Sequence, residues 1–223
     1  MNTEYPDRRN MEKLDGWLVL DGYEDEPAAF GVPNYVGFHI RYICGVLEER
    51  GIEYTYMTVD QWRSLFKSEL STHEGRKNVR EQMRELDGAI LLAGAVVPGK
   101  YIRGTPISRG ETDSFLSSIP SRIPVICGGW AIRHWRQSGW VSPRSNLFCS
   151  LKDTDATLNH FLSTGKMSHK KRSPDEWSRW AMKGASSKAV VEHPDLLSPN
   201  AVSYTHLRAH ETEADLVCRL LLE

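Results

Sequence analysis

Apolar and polar positions follow two alternating patterns through the first half of the chain. Short runs of apolar, β-branched and aromatic residues predict buried strands, and they lie at 16–20, 52–59, 89–97 and 123–127. Apolar residues at helical spacing predict amphipathic helices between these runs, at 36–50, 76–86 and 112–119. The order of elements is therefore β-α-β-α-β-α-β.

Strands that alternate with helices through short connections form a mostly parallel sheet, because parallel neighbours need crossover connections. The predicted fold class is α/β, a Rossmann-like sheet flanked by helices and followed by a helical extension. Ligands of such sheets bind beyond the carboxyl ends of the strands. We therefore expect the loops at 21–36, 94–105 and 128–134 to meet at one edge, which we call the ligand rim.

The pattern changes after Trp140. A short strand is predicted at 146–151 and a helix at 154–163, and a basic link then leads to a last helix. That helix begins with a capping serine, a proline and a glutamate in the segment 173–176, the capping-box arrangement. Its predicted packing stripe is Trp177, Trp180, Ala181 and Ala185. The chain thus divides into a polar leader at 1–14, a sheet domain at 15–150 and a helical extension at 151–200.

Composition narrows the class of protein. The 223 residues are 40% hydrophobic and 26% charged with a formal net charge of -1, which argues against a strongly basic nucleic-acid binder and a disordered polyelectrolyte. Neither an apolar span of membrane length nor a signal peptide is present in the sequence. Four cysteines, at 44, 127, 149 and 218, are too far apart for a zinc site or a disulfide framework. We expect a cytoplasmic protein that binds a small molecule, with neither nucleic acid nor membrane as a partner.

Candidate chemistry lies on the predicted rim. The acidic loop with Asp21, Glu24, Asp25 and Glu26 suits a hard cation, although solvation is the simpler role of such a charge run. Two glycine-containing turns, at 94–95 and 128–129, lack the established dinucleotide and phosphate patterns. His134 is a better histidine candidate than His39, which is predicted inside a helix. Packing is the simpler role of the tryptophans at 130, 135, 140, 177 and 180.

An ordered series of short motifs covers residues 15–200. The motifs lie at 21–28, 31–33, 41–42, 45, 58–63, 93–95, 97–101, 104–106, 128–129, 176–181, 184–185 and 193–194. Together they resemble an archaeal-type family of radical S-adenosylmethionine proteins with a cobalamin-binding-type N-terminal domain. The resemblance implies that a [4Fe-4S] cluster and S-adenosylmethionine belong to a part beyond this chain, since the chain has no closely spaced cysteine triplet. The fragment alone would then be inactive.

The resemblance also implies a cofactor site without catalytic or metal-ligating residues. Its members are Asp21, Gly22, Tyr23, Gly94, Ala95, Thr105, Gly128 and Gly129. Cobalamin is the implied ligand, but tyrosine stands at position 23 where such domains carry the histidine that ligates cobalt. Either cobalamin binds without a protein nitrogen, its nucleotide tail admitted at 128–129, or the domain has kept the fold and lost the cofactor.

The last residues, 201–223, resemble translated adapter sequence. We therefore expect the spacing of His206 and His210, which would suit a metal on a helix, to be accidental.

Two other functions remain open. The chain could be a non-catalytic Rossmann-like module that binds a nucleotide or a protein partner. It could also be a small hydrolase that holds a metal in the acidic loop, with activity lost on Asp21→Asn or Asp25→Asn. The oligomeric state is not indicated by the sequence.

Overall fold

The computed structural model describes residues 14–23, 36–68, 72–94, 106–144 and 146–191. The strands are β1 (Trp17–Gly22), β2 (Tyr54–Thr58), β3 (Gly88–Ala93), β4 (Val125–Gly128) and β5 (Leu147–Cys149). The helices are α1 (Phe38–Glu49), α2 (Val59–Ser68), α3 (His73–Arg84), α4 (Arg109–Ser118), α5 (Trp130–Gln137), α6 (Thr154–Thr164), α7 (Pro174–Ala185) and α8 (Lys188–Val191). None of these helices has the length and apolar character to cross a membrane, in the part of the chain that is described.

The five strands form one parallel sheet in the order β2-β1-β3-β4-β5. This confirms the predicted α/β Rossmann-like class, and the order is that of flavodoxin-like doubly wound sheets, whose direction of winding reverses between β1 and β3. The register pairs Asp21 with Leu92, and Leu92 with Gly128. The predicted rim positions on β1 and β4 therefore lie at the same height, separated by β3.

Each face of the sheet carries its own apolar core. Leu18 and Leu20 of β1 belong to the core beneath α2, α3, α4 and α5, together with Trp62 and Phe115. Trp17 and Val19 point to the opposite core, which contains residues of α1, α6, α7 and α8. The continuous apolar run of β1 follows from burial on both faces.

Two helices differ from the sequence prediction. The predicted second strand ran through Val59, but Val59 begins α2, because Thr58 and Gln61 form a reciprocal cap: each side chain accepts the other's backbone N–H. Residues 130–134 were predicted as part of a loop, but they form most of α5. This helix spans only eight residues, with Ala131 and Ile132 buried, so it is too short for a periodicity test to detect.

The helical extension packs on α1. The Ser173–Glu176 capping box of α7 is present as predicted. A Cβ at Gly45 would lie 2.2 Å from the carbonyl oxygen of Trp180, and one at Gly184 would lie 2.0 Å from that of Arg41. These two glycines therefore allow the helices to cross at close range, and α7 shares its core with the sheet.

The packing stripe predicted for α7 is only partly correct. Trp180 is buried, and Gly184 lies beside it on the buried side. In contrast, Trp177 is 46% exposed and Ala185 is exposed. The stripe shifts because the close crossing with α1 needs a glycine where the pattern suggested alanine.

Candidate functional site

The carboxyl end of β1 is a closed polar corner. Asp21 is 2% exposed, and its Oδ1 accepts the backbone N–H of Tyr23 at 2.9 Å. Its Oδ2 accepts the hydroxyl of Tyr56, on the neighbouring strand, at 2.8 Å. The first of these bonds holds Tyr23 at φ 62°, a left-handed conformation that is uncommon for tyrosine. Asp21 thus fixes the direction in which the chain leaves β1.

A network of one hydrogen bond and two ion pairs extends from the hydroxyl of Tyr23. Its hydroxyl donates to Asp60 Oδ2 at 2.8 Å, and Asp60 Oδ1 lies 2.9 Å from Arg63 Nη1. Arg63 then binds Glu111 with two parallel bonds, Nε to Oε1 at 2.7 Å and Nη2 to Oε2 at 3.1 Å. These bonds from Arg63 lower the pKa of Glu111 to about 2. The network joins β1, α2 and α4.

The reversal point between β1 and β3 is covered by the chain itself. The backbone N–H of Ile107 donates to the carbonyl of Gly22 at 3.1 Å, and Ile107 is fully buried. A Cβ at Gly22 would lie 2.4 Å from the carbonyl oxygen of Leu92 and 2.5 Å from Ile107 Cγ2. Gly22 therefore serves the close approach of the segment before α4.

Internal packing also takes up the space beside Gly128 and Gly129. A Cβ at Gly128 would lie 1.9 Å from Thr154 Oγ1, at the start of α6. Gly129 has φ 97°, and a Cβ there would lie 2.4 Å from the carbonyl oxygen of Ala93. The Cβ directions of both glycines are therefore filled by α6 and β3, while Gly129 also borders the open cleft described below.

The structure reaches six of the eight residues predicted for the cofactor site. Gly94 is buried and directly follows β3. Ala95 and Thr105 lie outside the described residues, as do Glu24, Asp25 and Glu26 of the acidic loop and the histidines at 206 and 210. Asp21, Gly22 and Tyr23 belong to the closed corner, and β3 separates them from Gly128 and Gly129. A role in ligand binding stays a prediction for all eight residues.

An open cleft lies at the other end of the rim, beyond β4 and β5. Its volume is about 220 Å³. The lining residues come from the first turns of α1, α5 and α6 and the adjoining loops: His39, Gly129, Trp130, Arg133, Lys152, Asp153 and Thr154. A shallower groove of about 370 Å³ adjoins it at Arg133, where Arg136, Gln137 and Leu151 complete the lining. We call these the cationic cleft and the side groove.

The cationic cleft contains two positive side chains without a carboxylate partner among the described residues. Arg133 makes one hydrogen bond, from Nη2 to the carbonyl of Lys152 at 3.2 Å, and its Nε is buried with no acceptor among the described residues. The Lys152 side chain is exposed. Asp153, in the same cleft, accepts the backbone N–H of Arg172 at 2.8 Å and lies 4.0 Å from its guanidinium. Arg172 therefore lies between this carboxylate and that of the buried Asp155, with which it pairs more closely, at 2.8 Å.

Of the three cysteines that the structure describes, Cys44 and Cys127 are buried and Cys149 is partly buried. Cys127 and Cys149 are paired in register on β4 and β5, although the sequence separates them widely. Burial raises the pKa of both thiols, and it raises that of Cys44 to about 12. Among the described residues, no three histidine, cysteine, aspartate or glutamate side chains come together as a metal site.

Sequence analysis found only part of the cationic cleft. His134, the histidine favoured from the sequence, is exposed on α5 and lies outside the lining, whereas His39 belongs to it. Arg133 and Lys152 were not singled out, because neither belongs to a motif. Trp140 and Trp180 are core residues as expected, but Trp130 is 62% exposed at the cleft. An exposed tryptophan beside basic residues was the available signal.

Comparisons with known proteins give relatives without a described activity. No family model matches the chain. The Uncharacterized protein MJ0274 of Methanocaldococcus jannaschii is 30% identical over 190 residues, which cover 80% of this chain and 32% of that protein. An uncharacterized protein of Archaeoglobus fulgidus is 39% identical over 93 residues, covering 42% of this chain and 16% of that protein. The chain thus spans about a third or less of the length of these curated relatives.

The likeness to solved structures is low, as a flavoprotein illustrates. A diflavin flavoprotein A3 from Nostoc sp. has a TM-score of 0.34 and 10% sequence identity, over 82% of this chain and 99% of that one. A likeness at this level gives no argument about ligand or chemistry.

Proposed function

We propose that this chain is the N-terminal small-molecule-binding domain of a radical S-adenosylmethionine iron–sulfur enzyme. We propose further that the domain has kept the cobalamin-binding-type fold and lost the cobalamin site. The parent enzyme is inferred from the ordered motif series at 15–200. The length of the relatives supports it, since a chain that spans 32% of a relative leaves room there for a further domain.

The observation that supports a binding role is the difference between the two ends of the ligand rim. Its β1 end is closed by Tyr23, Ile107 and their hydrogen bonds, while its β4–β5 end opens into the cationic cleft. Ligands of parallel α/β sheets bind at this edge of the sheet. The domain therefore binds its ligand beside α5 and α6 and performs no chemistry itself.

The loss of cobalamin is supported by two features of the described residues. Tyr23 stands where a cobalt-ligating histidine would, and its hydroxyl is bonded to Asp60 inside the protein. Thr154 occupies the space that an open Gly128 would offer to a nucleotide tail. We therefore expect no change in the absorbance spectrum of hydroxocobalamin on titration with this chain, whereas a saturable spectral shift would restore cobalamin as the ligand.

The parent enzyme is tested at the natural genomic locus. We expect a closely spaced cysteine triplet soon after position 200, in place of residues 201–223. The full-length protein, reconstituted with iron and sulfide without oxygen, should show the absorbance and electron paramagnetic resonance of a [4Fe-4S] cluster and should release 5′-deoxyadenosine from S-adenosylmethionine. Replacing the triplet with alanine should abolish both signals, and a locus without such a triplet would overturn the proposed enzyme.

A non-catalytic nucleotide-binding module is the second candidate, and the cationic cleft favours it too. A metal-dependent hydrolase has less support. Asp21, the described carboxylate of the acidic loop, is 2% exposed and both of its oxygens accept hydrogen bonds from protein groups. A cation there would have to displace Tyr23 and Tyr56.

A further inference from the structure

The charge of the cationic cleft is not balanced within the described protein. Arg133 has five N–H donors and uses one, in a bond to the carbonyl of Lys152. A buried donor without an acceptor costs about 1–3 kcal/mol, so the buried Nε of Arg133 calls for an explanation. In contrast, Arg63 at the closed corner binds two carboxylates and one carbonyl. Arg133 is therefore suited to an acceptor that comes from outside the chain.

The backbone adds positive potential to the same cleft. Two helices that begin there, α5 and α6, have no side-chain hydrogen bond from their N-cap residues Gly129 and Asp153 within the described part of the chain. Four other described helices, α2, α3, α4 and α7, are capped by Thr58, Thr72, Ser108 and Ser173. Uncapped first turns present N–H groups and the positive end of the helix dipole, which favours an anion, and at α6 the carboxylates of Asp153 and Asp155 share that end with Arg172. The missing caps thus coincide with the two unpaired cations.

An aromatic surface lies next to this charge. Trp130 is 62% exposed, and the guanidinium carbon of Arg133 lies 5.6 Å from the centre of its ring. The side groove continues past Arg133 to Arg136 and Leu151. An exposed indole beside basic side chains can stack a nucleobase while the cations hold a phosphate.

We propose that the cationic cleft binds the phosphate of a nucleotide through Arg133, Lys152 and the N-termini of α5 and α6, with the base stacked on Trp130. This inference rests on the proposed function only in taking the chain to be a small-molecule-binding domain. The phosphate would accept hydrogen bonds from terminal N–H groups of Arg133 that the described protein leaves unused, and the cleft has the size for a phosphate and part of a sugar, with the base toward the side groove.

Isothermal titration calorimetry of the full 223-residue chain with AMP, adenosine and inorganic phosphate tests the site. Charge-assisted hydrogen bonds to the phosphate predict that AMP binds at least about tenfold more tightly than adenosine. Inorganic phosphate should bind weakly and compete with AMP. Equal binding of AMP and adenosine, or binding of neither, would overturn the proposal.

Variants separate the two parts of the site. R133Q/K152Q should weaken AMP at least about tenfold, while the charge-matched R109Q/K183Q, at two exposed positions elsewhere, should bind AMP as the original chain does. W130A should weaken AMP about fivefold or more but leave inorganic phosphate unchanged. Circular dichroism confirms that each variant is folded. AMP binding that R133Q/K152Q leaves unchanged would place the nucleotide elsewhere and refute the assignment.

The two proposals fail independently. A locus without a cysteine triplet, combined with AMP binding that depends on Arg133, removes the radical enzyme and leaves the phosphate site standing. A full-length protein that forms a cluster but discriminates neither AMP from adenosine nor the variants from the original removes the phosphate site and leaves the proposed enzyme.

Discussion

Both ends of the ligand rim carry charged side chains, but the two ends differ in how these charges are paired. At the closed corner Asp60, Arg63 and Glu111 bind one another across α2 and α4. At the cationic cleft Arg133 and Lys152 have no carboxylate partner among the described residues. A fully paired network stabilises a single conformation, whereas a cation without a carboxylate partner is available to a ligand. We therefore infer a structural role for the first end and propose a binding role for the second.

The largest effect is expected for Asp21→Ala at the closed corner. The change removes the carboxylate that accepts from the hydroxyl of Tyr56 and from the backbone N–H of Tyr23. It thereby removes the bond that holds Tyr23 in its left-handed backbone conformation. We expect a loss of about 3 kcal/mol or more in the free energy of unfolding, measured with urea. Asp87→Ala, at an exposed carboxylate, should change it by less than about 0.5 kcal/mol. Similar losses in both variants would deny Asp21 its structural role.

Gly128→Ala tests the packing beside the cationic cleft, since this glycine lies beneath the start of α6. Its new Cβ would meet Thr154 Oγ1 at 1.9 Å, so we expect a loss of about 2 kcal/mol in the free energy of unfolding. Gly110→Ala, in α4 with open space around the new Cβ, should instead gain about 0.5 kcal/mol. Adding Thr154→Ala to Gly128→Ala should recover part of the loss. A neutral Gly128→Ala would mean that the space is open to a ligand after all.

Acid should weaken the closed corner through Glu111. Its folded pKa is lowered from 4.5 to about 2, so its stabilisation is present above about pH 4.5 and is lost as the pH falls through 2. Glu111→Gln should therefore lower the free energy of unfolding at pH 7 by about 1 kcal/mol, a value that allows for solvent screening at this partly exposed pair. The variant should also lose less stability than the original chain as the pH falls below 4.5. Glu81→Gln, in an exposed pair, is the control. Parallel pH curves for the chain and Glu111→Gln would contradict the pairing.

Local signals were sufficient for much of the fold. The apolar run of β1 and the capping box at Ser173 are contained in a few adjacent residues, and both are present. Strand order was not predictable in this way, because it depends on which strand ends meet in space. The sequence therefore grouped positions 21–23 and 128–129 in one site, whereas β3 lies between them.

The candidate site was harder to predict than the fold, for two physical reasons. The role of Asp21 depends on Tyr56, which meets it only because β1 and β2 pair in parallel. Arg133 and Lys152 come together only because α5 and α6 begin beside each other after neighbouring strands. A charged residue has the same local pattern whether its partner is present or absent, so pairing becomes visible only in three dimensions.

The smallest effect on stability is expected for Arg133→Gln, and it sets the sharpest contrast with Arg63→Gln. Both arginines lie at the rim, but Arg63 binds Asp60 and Glu111, so its replacement should cost about 2 kcal/mol. Arg133 makes one hydrogen bond to a carbonyl and buries an Nε without an acceptor, so these two terms offset each other. We expect Arg133→Gln to change the free energy of unfolding by less than about 0.5 kcal/mol in urea titrations without ligand.

With saturating AMP, the two variants should also differ in how much stability they gain on ligand binding, and here Arg133→Gln should be the more affected variant. Ligand binding raises the stability of a chain in proportion to the logarithm of ligand concentration over Kd. Arg63→Gln should keep the stabilisation by AMP, because its side chain lies away from the cationic cleft, and Arg133→Gln should lose most of it. A loss in Arg133→Gln without ligand as large as that of Arg63→Gln would instead show that Arg133 supports the fold, and the two ends of the rim would no longer differ in kind.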